Sequence, residues 1–309
     1  MTSQCPGAGD GPLISIVMPV FNGELYIGEA LDSVFAQTYQ HFEVIVVDDG
    51  STDRTLDIVG SYGDRVRLFR QQNRGNSSAR NRGNEIATGE WTAQLDADDR
   101  WDPAKLEKQL RLANGADVLY TAAVNFGDSS RVDDVTFPDG SCPQGDVFDQ
   151  LITVNFVTHS SVMIRTPLIR RSGGYDETLR SISDWDLLLR LSGEGARFAG
   201  CPEPLTHYRW RAASLSRNHH RTCVDRLSVL ERALASPRGQ LVSTVRKRAA
   251  QAEVWRTSAW FAAEQERWTA VRWYIKALTV WPFSVSGWLE LLRASFHLFG
   301  IRRGRLLNN

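Results

Sequence analysis

The chain has 309 residues, of which 42% are hydrophobic and 23% are charged. This length and composition are sufficient for a substantial buried core, in one large domain or in one domain with an appendage. The 36 basic and 36 acidic residues give a formal net charge of zero, which argues against a general nucleic-acid-binding protein.

The cysteines and the apolar segments indicate the compartment. Cys5, Cys142, Cys201 and Cys223 are far apart, so they indicate neither a zinc site nor a disulfide framework and fit a reducing compartment. The run LISIVMPVF is typical of a buried strand, and no window reaches the roughly 20 apolar residues that a membrane-spanning helix needs. We therefore expect a soluble cytoplasmic protein.

The first hundred residues alternate between patterns typical of strands and of helices. Residues 1–11 are small, polar and glycine-rich, and are predicted to form a disordered tail. The pattern then predicts strands at 13–20, 42–49 and 66–71, a fourth strand within 89–99, and helices at 24–37, 51–63, 76–88 and 103–113. This alternation predicts a mostly parallel sheet flanked by helices, in which ligands bind beyond the carboxyl ends of the strands.

The pattern changes twice further along the chain. From about residue 115, strands at 116–126 and 160–166 and a helix at 183–192 predict a mixture of strands and loops. After residue 221 the sequence is helical throughout, and one segment (258–282) resembles a single tetratricopeptide-like helical pair, which does not by itself predict a solenoid. We therefore predict one large domain over 12–221, with halves 12–115 and 116–221, and a helical C-terminal subdomain over 222–309.

The last nineteen residues, from Leu291, contain four arginines and no acid, interleaved with apolar side chains. Two interpretations remain open for this basic segment. It can be a helix docked on the body of the protein, or a basic amphipathic element that makes peripheral contact with an anionic membrane surface.

Three aspartates, Asp96, Asp98 and Asp99, occupy four positions directly after a predicted strand. Crowded carboxylates raise one another's pKa unless a cation compensates their charge. Mg²⁺ typically takes one or two carboxylates and keeps its other positions for water and substrate phosphates. Because Asp102, followed by Pro103, is already explained as a helix N-cap, the other three aspartates indicate a site for a metal ion and a nucleotide.

Two strings, ISIVMPVFNGELYIGEALDSVFAQTYQHFEVIVVDDGSTDRTL and NRGNSSARNRGNEIATGEWTAQLDADD, resemble the family 2 glycosyltransferases with the GT-A fold. The resemblance resumes at 173–192 and 207–216 and covers most of residues 12–220. It implies an α/β fold of GT-A type, with a Rossmann-like, mostly parallel sheet flanked by helices and a C-terminal helical subdomain. Residues 12–115 would form the nucleotide-binding half and 116–221 the acceptor half.

The resemblance also implies the residues that bind the nucleotide. Pro19 and Phe21 would flank the base, which is most commonly uracil in this family, and Asp49 would hydrogen-bond to it. Arg80 would help to hold the nucleotide or its diphosphate.

Asp96-Ala97-Asp98 matches the D-x-D motif, whose acids would bind the ribose and a divalent metal ion, Mn²⁺ or Mg²⁺. Asp98 and Asp99 would lie nearest to the ion. His207, His219 and His220 could supply a further metal ligand, and His159 could line the acceptor pocket or be a core histidine.

The resemblance places the catalytic base at Asp184, just ahead of a predicted helix. The family commonly has Glu-Asp there, whereas this chain has Ser183-Asp184, which keeps the base and loses its acidic neighbour. An aspartate at that position can also be a simple N-cap. Arg209, Ser214 and Ser216 resemble a segment that closes over the diphosphate in some relatives.

These features imply a non-processive, inverting glycosyltransferase that moves a sugar from a nucleoside-diphosphate sugar, most commonly a UDP-sugar, to an acceptor hydroxyl. The acceptor would be a glycan, a lipid-linked glycan or a small molecule, in surface polysaccharide or glycolipid synthesis.

Three other functions are alternatives to this one. A processive synthase would need membrane helices and a Q-x-x-R-W motif, and a sugar nucleotidylyltransferase would need a glycine-rich loop after the first strand; the sequence has none of these. A catalytically inactive nucleotide-binding protein would have no need of Asp184.

Overall fold

The computed structural model describes residues 11–127, 133–179, 181–210, 219–263 and 265–295. The chain divides into two compact units. The first is built from the described parts of Met1–Val147 and Phe156–Ala212, and the second from Phe148–Asn155 and the described parts of Ala213–Asn309. Residues 148–155 therefore belong to the same unit as the C-terminal helices, which a division in chain order does not anticipate.

The first unit contains one sheet of eight strands in the order β3-β2-β1-β4-β7-β6-β8-β5. The strands are β1 Ile14–Val20, β2 Phe42–Asp48, β3 Val66–Arg70, β4 Trp91–Gln94, β5 Arg100–Trp101, β6 Val118–Gly127, β7 Met163–Arg165 and β8 Phe198–Trp210. Strands β1 to β4 are mutually parallel, β7 is antiparallel to both β4 and β6, β8 is parallel to β6, and β5 is antiparallel to β8.

The helices alternate with the strands in the first unit and fill most of the second. Those of the first unit are α1 Ile27–Phe35, α2 Thr55–Gly60, α3 Asn76–Ile86, α4 Lys105–Leu110, α6 Thr166–Arg171 and α7 Ser183–Gly193. Those of the second unit are α5 Phe148–Leu151, α8 His219–Ala235, α9 Pro237–Gln240, α10 Thr244–Ala262, α11 Arg267–Val280 and α12 Val285–Ser295.

Burial explains why the first half of the chain folds as its pattern predicts. Strand β1 is buried along its whole length, as expected for a central strand covered on both faces. Helix α1 buries Ile27, Ala30, Leu31 and Val34, a spacing that places all four side chains on one face. These residues belong to one core that also contains apolar side chains of β2 and β4.

Two helices begin later than predicted, and one long strand was missed. Helix α2 begins at Thr55, and the hydroxyl of Ser51 instead accepts a hydrogen bond from the Asn22 amide at 2.8 Å. Helix α4 begins at Lys105, so Asp102, which accepts from the Ala104 amide at 2.9 Å, stabilises the turn before it. The thirteen-residue strand β8 was missed because Pro202-Glu203-Pro204 interrupts its apolar pattern, and its register with β6 shifts there.

The second unit is a helical assembly with a core of small and aromatic side chains. Ala259, Ala262 and Ala270 allow α10 and α11 to approach closely, and the side chains of Trp273 and Tyr274 fill the remaining space. None of the described helices combines the length and the apolar character needed to cross a membrane.

Candidate active site

The carboxyl ends of β1, β2 and β4 lie at one edge of the sheet, and this edge carries the predicted nucleotide site. Pro19 is buried within β1, whereas Phe21, just after the strand, is 51% exposed. An open depression lies after β2 and is lined by Gly50, Arg70, Gln71, Gln72 and Asn73. An exposed aromatic ring and an open depression at the same edge of a sheet are features that can bind a flat, partly apolar ligand.

Asp49 directly precedes Gly50 of this depression and is only 3% exposed. One carboxylate oxygen accepts hydrogen bonds from Gln71 Nε2 at 2.8 Å and the Arg74 amide at 2.9 Å, and the other accepts from the Gly75 amide at 2.8 Å. Asp49 therefore ties the loop between β3 and α3 to the end of β2, and its carboxylate is engaged within the chain.

The Asp96–Asp99 turn follows β4, and the carboxylates of Asp96 and Asp99 have different partners. The turn is closed by a hydrogen bond from the Asp99 amide to the Asp96 carbonyl at 3.0 Å. Asp96 accepts a hydrogen bond from Arg80 Nη2 at 2.6 Å. Asp99 is 1% exposed and accepts from the Ser160 hydroxyl at 2.5 Å and the Arg209 amide at 2.7 Å. Burial, reinforced by the charges of Asp98 and Asp96, raises the pKa of Asp99 well above its usual value.

Ser160, which sequence reasoning missed, holds both ends of the Asp96–Asp99 turn. Its hydroxyl contacts the Asp99 carboxyl and accepts a hydrogen bond from the Asp96 amide at 3.1 Å, and its carbonyl accepts from Trp101 Nε1 at 2.7 Å. Ser160 is fully buried in a short 3₁₀ helix, His159–Ser161. Because it is 61 residues from Asp99, no local pattern could have identified it.

Arg80, His159 and Tyr175 form a buried cluster next to Asp96. The Arg80 side chain is 7% exposed, and its guanidinium carbon lies 5.5 Å from the centre of the Tyr175 ring. The Tyr175 hydroxyl is hydrogen-bonded to His159 Nε2 at 2.9 Å. Burial, followed by the charge of Arg80, lowers the pKa of His159 to about 4, so the imidazole is neutral near pH 7. Arg80 Nε and His159 Nδ1 are buried without a hydrogen-bond partner among the described residues.

Asp184 is the second residue of α7, partly buried, and no side chain caps the start of this helix. The neighbouring Ser183 hydroxyl accepts a hydrogen bond from the Ser77 hydroxyl at 3.0 Å, which joins the start of α7 to the start of α3. The charge of Asp184, like that of Asp96, opposes the lowering of the His159 pKa by burial and Arg80. The structure therefore brings Asp184 and Asp96 within electrostatic reach of the same side chains.

Tyr208 on β8 is a second residue that sequence reasoning missed. Burial raises its pKa above the usual range, and the charges of Asp99, Asp96, Asp98 and Asp184 add to this effect. Its phenol therefore lies within electrostatic reach of all four aspartates. The segment HYRW was interpreted only through its arginine, although alternation along a strand would have placed Tyr208 and Trp210 on one face.

Arg209 contacts the Asp96–Asp99 turn, and its side chain is held by several contacts. Nε donates to the Asp98 carbonyl at 2.7 Å, the guanidinium pairs with Glu29 of α1, and its carbon lies 4.2 Å from the centre of the Phe126 ring. The side chain thus supports the turn from within the protein. Ser214 and Ser216, predicted to act with it, lie outside the described residues.

The three predicted metal ligands do not form a preassembled ligand cluster. The described part of the chain contains no group of three or more acidic, histidine or cysteine side chains placed to hold a metal ion. Asp96 and Asp98 are both partly exposed and offer hard oxygen ligands. This donor set fits a Mg²⁺ or Mn²⁺ ion whose other positions are filled by water and a diphosphate. His219 and His220 lie in the second unit, at the start of α8.

Comparison with solved structures defines the fold. TarS of S. aureus in complex with UDP-GlcNAc superposes with a TM-score of 0.64 at 20% identity, over 86% of this chain and 81% of that one. The mannosyltransferase PcManGT of Pyrobaculum calidifontis, in complex with GDP-Man and Mn²⁺, gives 0.62 at 18% identity, over 95% and 82%. The fold is that of the GT-A glycosyltransferases, as the sequence predicted.

Sequence comparison gives the family. The model described as glycosyl transferase family 2 matches residues 15–171. The putative teichuronic acid biosynthesis glycosyltransferase TuaG of Bacillus subtilis is 33% identical over 216 residues, 67% of this chain and 82% of its own length. A glycosyltransferase of Rickettsia typhi is 35% identical over 186 residues, 58% of each chain, so this chain spans little more than half of that relative. The chain belongs to glycosyl transferase family 2, a family of enzymes.

Proposed function

We propose that this protein transfers a sugar from a nucleoside-diphosphate sugar to an acceptor hydroxyl, with inversion at the anomeric carbon and with a divalent metal ion. The observation that carries the proposal is the convergence of Asp184 with Asp96 around Arg80 and His159. These residues come from separate parts of the sequence, and they combine acids suited to a metal and a diphosphate with an acid suited to proton transfer.

The donor would bind at the carboxyl edge of the sheet. Phe21 would contact the base in the open depression, beside buried Pro19, and Asp49 would shape its wall. Asp96, oriented by Arg80, would contact the ribose side of the nucleotide, and Asp98 would hold the metal ion. A bound divalent ion supplies charge that offsets the negative charge developing on the departing diphosphate.

We assign to Asp99 and Arg209 the role of positioning the turn that carries Asp98. Both Asp99 oxygens accept hydrogen bonds within the chain, and Arg209 donates to the Asp98 carbonyl. Together they fix the turn that presents Asp98, and this preorganisation means that the side chains need not rearrange when charge develops. A contribution of Ser214 and Ser216 to diphosphate binding remains part of the proposal.

Asp184 would act on the acceptor side. A base in this position takes the proton from the acceptor hydroxyl as its oxygen attacks the anomeric carbon. Attack from the face opposite the departing diphosphate inverts the configuration at that carbon. Tyr208 would lie between the donor site and the acceptor site, since it is within electrostatic reach of Asp184, Asp96 and Asp98.

Names of relatives support the choice of substrates. TarS was solved with UDP-GlcNAc, which supports a UDP-sugar donor, while PcManGT was solved with GDP-Man. TuaG is named for teichuronic acid biosynthesis and a Mycobacterium bovis relative for PGL/p-HBAD biosynthesis. We therefore propose a glycan or lipid-linked glycan as acceptor, and a reaction at the cytoplasmic face of the membrane.

A thermal-shift screen of UDP, GDP and dTDP, each with Mn²⁺ or with EDTA, tests the donor class. A ligand at about a hundred times its Kd stabilises the folded state by about 2.7 kcal/mol, which raises the melting temperature by roughly 5 °C for a protein of this size. We expect this shift for UDP with Mn²⁺ and a much smaller one with EDTA. UMP, which lacks the second phosphate, is the matched control.

A second experiment separates an enzyme from an inactive nucleotide-binding protein. UDP release from a panel of UDP-sugars is followed with glycan and lipid-linked acceptors and with water alone. Release above the rate of the Asp184→Asn variant supports transferase chemistry. UDP binding without release from any donor would favour the inactive binding protein, and no stabilisation by any nucleoside diphosphate would contradict the donor site itself.

A further inference from the structure

Helix α12 presents an apolar stripe to the solvent. Val285, Trp288, Leu289 and Leu292 follow the spacing of one helical face and are 73%, 50%, 40% and 51% exposed. A surface helix normally turns such a stripe towards the core. We call these four side chains the outer face of α12.

The orientation of α12 is fixed by its other face. Ala294 is fully buried against the core of the second unit. Glu290 is held by a salt bridge of 2.8 Å from Arg256 of α10, with both side chains largely buried. Arg267 at the start of α11 donates hydrogen bonds to the carbonyls of Ala294 and Ser295 at 3.1 and 2.6 Å, which caps the end of the helix. The outer face is therefore exposed by the architecture of the unit.

Aromatic side chains extend the outer face at the N-terminal end of the helix. Phe283 is 76% exposed, and its ring centre lies 5.3 Å from that of Trp281. The indole of Trp288 donates to the Pro282 carbonyl at 2.9 Å. Exposed aromatic rings whose polar atoms are satisfied are typical of side chains that lie at a membrane–water interface.

The surrounding sequence is strongly basic. From residue 267 to the end, the only acid is Glu290, which forms a salt bridge with Arg256. The same stretch contains seven basic residues: Arg267, Arg272, Lys276, Arg293, Arg302, Arg303 and Arg305. Among the described basic residues, Arg272 and Lys276 are exposed. Exposed basic residues in the same unit as an apolar face complement anionic lipid headgroups. A second copy of the chain would carry the same positive charge, so the electrostatics disfavour self-association through this face.

We propose that the outer face of α12, with Phe283, docks onto the surface of an anionic phospholipid bilayer, with its apolar side chains among the headgroups and upper acyl chains. This role concerns how the enzyme reaches a membrane and is independent of the sugar-transfer chemistry proposed above. The proposal uses a face within the described part of the second unit, and it differs from contact through the basic C-terminal segment alone.

Vesicle flotation of the full chain tests the proposal. Vesicles are made of phosphatidylcholine with or without phosphatidylglycerol, in the absence of nucleotide. We expect the wild type to float with the anionic vesicles and to remain largely free with the neutral ones. The double variant Val285→Asp/Leu292→Asp should bind anionic vesicles at least about tenfold more weakly, because it places two carboxylates in the apolar contact.

The matched control is Leu241→Asp/Val245→Asp in the same unit, which changes the charge equally at positions that are 78% and 61% exposed. It should bind like the wild type, and circular dichroism should show that both variants remain folded. Equal weakening of both variants, or no flotation of the wild type, would overturn the proposal. A concentration-dependent dimer that only the α12 variant dissolves would also overturn it in favour of a second copy as the occupant.

Discussion

The sequence places acids at the end of β2 and again after β4. The two groups look alike in the sequence but differ in the structure. After β2, Asp48 and Asp49 are buried and accept hydrogen bonds from nearby backbone amides. After β4, Asp99 is held in this way, while Asp96 pairs with Arg80 and Asp98 is partly exposed. Burial with fixed backbone donors makes an acid part of the scaffold. Partial exposure opposite a cation keeps an acid available to a ligand.

Asp184 should show the largest effect if partly exposed acids perform the chemistry. In Asp184→Asn, kcat should fall about a thousandfold because the variant cannot accept the acceptor proton. Its Kd for nucleotide and its melting temperature should stay close to those of the wild type. Glu194→Gln, an exposed acid at the other end of α7, is the control and should leave kcat unchanged. Wild-type kcat in Asp184→Asn would show that the base is another residue.

Asp49 should affect stability, because its carboxylate joins a loop to the sheet. Removal of three hydrogen bonds to a buried carboxylate in Asp49→Ala should lower the free energy of unfolding by about 3 kcal/mol, measured by urea denaturation. Asp57→Ala, an exposed acid in α2, should change it by less than about 0.5 kcal/mol. If the two variants were equally stable, Asp49 would not be part of the scaffold.

His159 should make the buried cluster next to Asp96 sensitive to acid. Its pKa is about 4 in the folded protein and 6.5 when unperturbed, so the unfolded chain binds more protons between these values. The stability due to the neutral imidazole is fully present above pH 6.5 and is lost as the pH falls towards 4. From about pH 7 to about pH 5 this loss amounts to about 2 kcal/mol.

His159→Gln should lose correspondingly less stability over the same range, as measured by urea denaturation in metal-free buffer. His41→Gln, which changes an exposed histidine, should keep the wild-type pH dependence. An unchanged pH dependence in His159→Gln would contradict a neutral buried imidazole.

Substitution of Asp99 should have the smallest effect, measured on UDP affinity, and this distinguishes Asp99 from Asp98. The side chain in Asp99→Asn keeps an oxygen that can accept from the Arg209 amide, and its NH₂ group can donate to the Ser160 hydroxyl, so the turn should keep its shape. Affinity for UDP with Mn²⁺ should remain within about threefold of the wild type, as measured by calorimetry. A loss as large as that in Asp98→Asn would instead make Asp99 a metal ligand.

The sequence predicted the positions of the acids better than their partners. Strands β1, β2 and β4 were predicted because buried strands leave a local apolar pattern, and the acids that follow them were therefore placed at one edge of the sheet. Ser160 and Tyr175 could not be predicted as partners of Asp99 and Arg80, because such contacts depend on how distant segments pack. The sequence also offered no means of showing that Asp96 and Asp99 have different partners.

Calorimetric titration of UDP in Mn²⁺ and in EDTA tests most directly whether the Asp96–Asp99 turn binds a metal ion together with a diphosphate. The wild type should bind UDP at least about tenfold more tightly with Mn²⁺, and Asp98→Asn should lose this gain while binding UDP normally in EDTA. Asp102→Asn, an acid just beyond the turn, should keep it. Equal Mn²⁺-dependent binding by the wild type and Asp98→Asn would contradict the account.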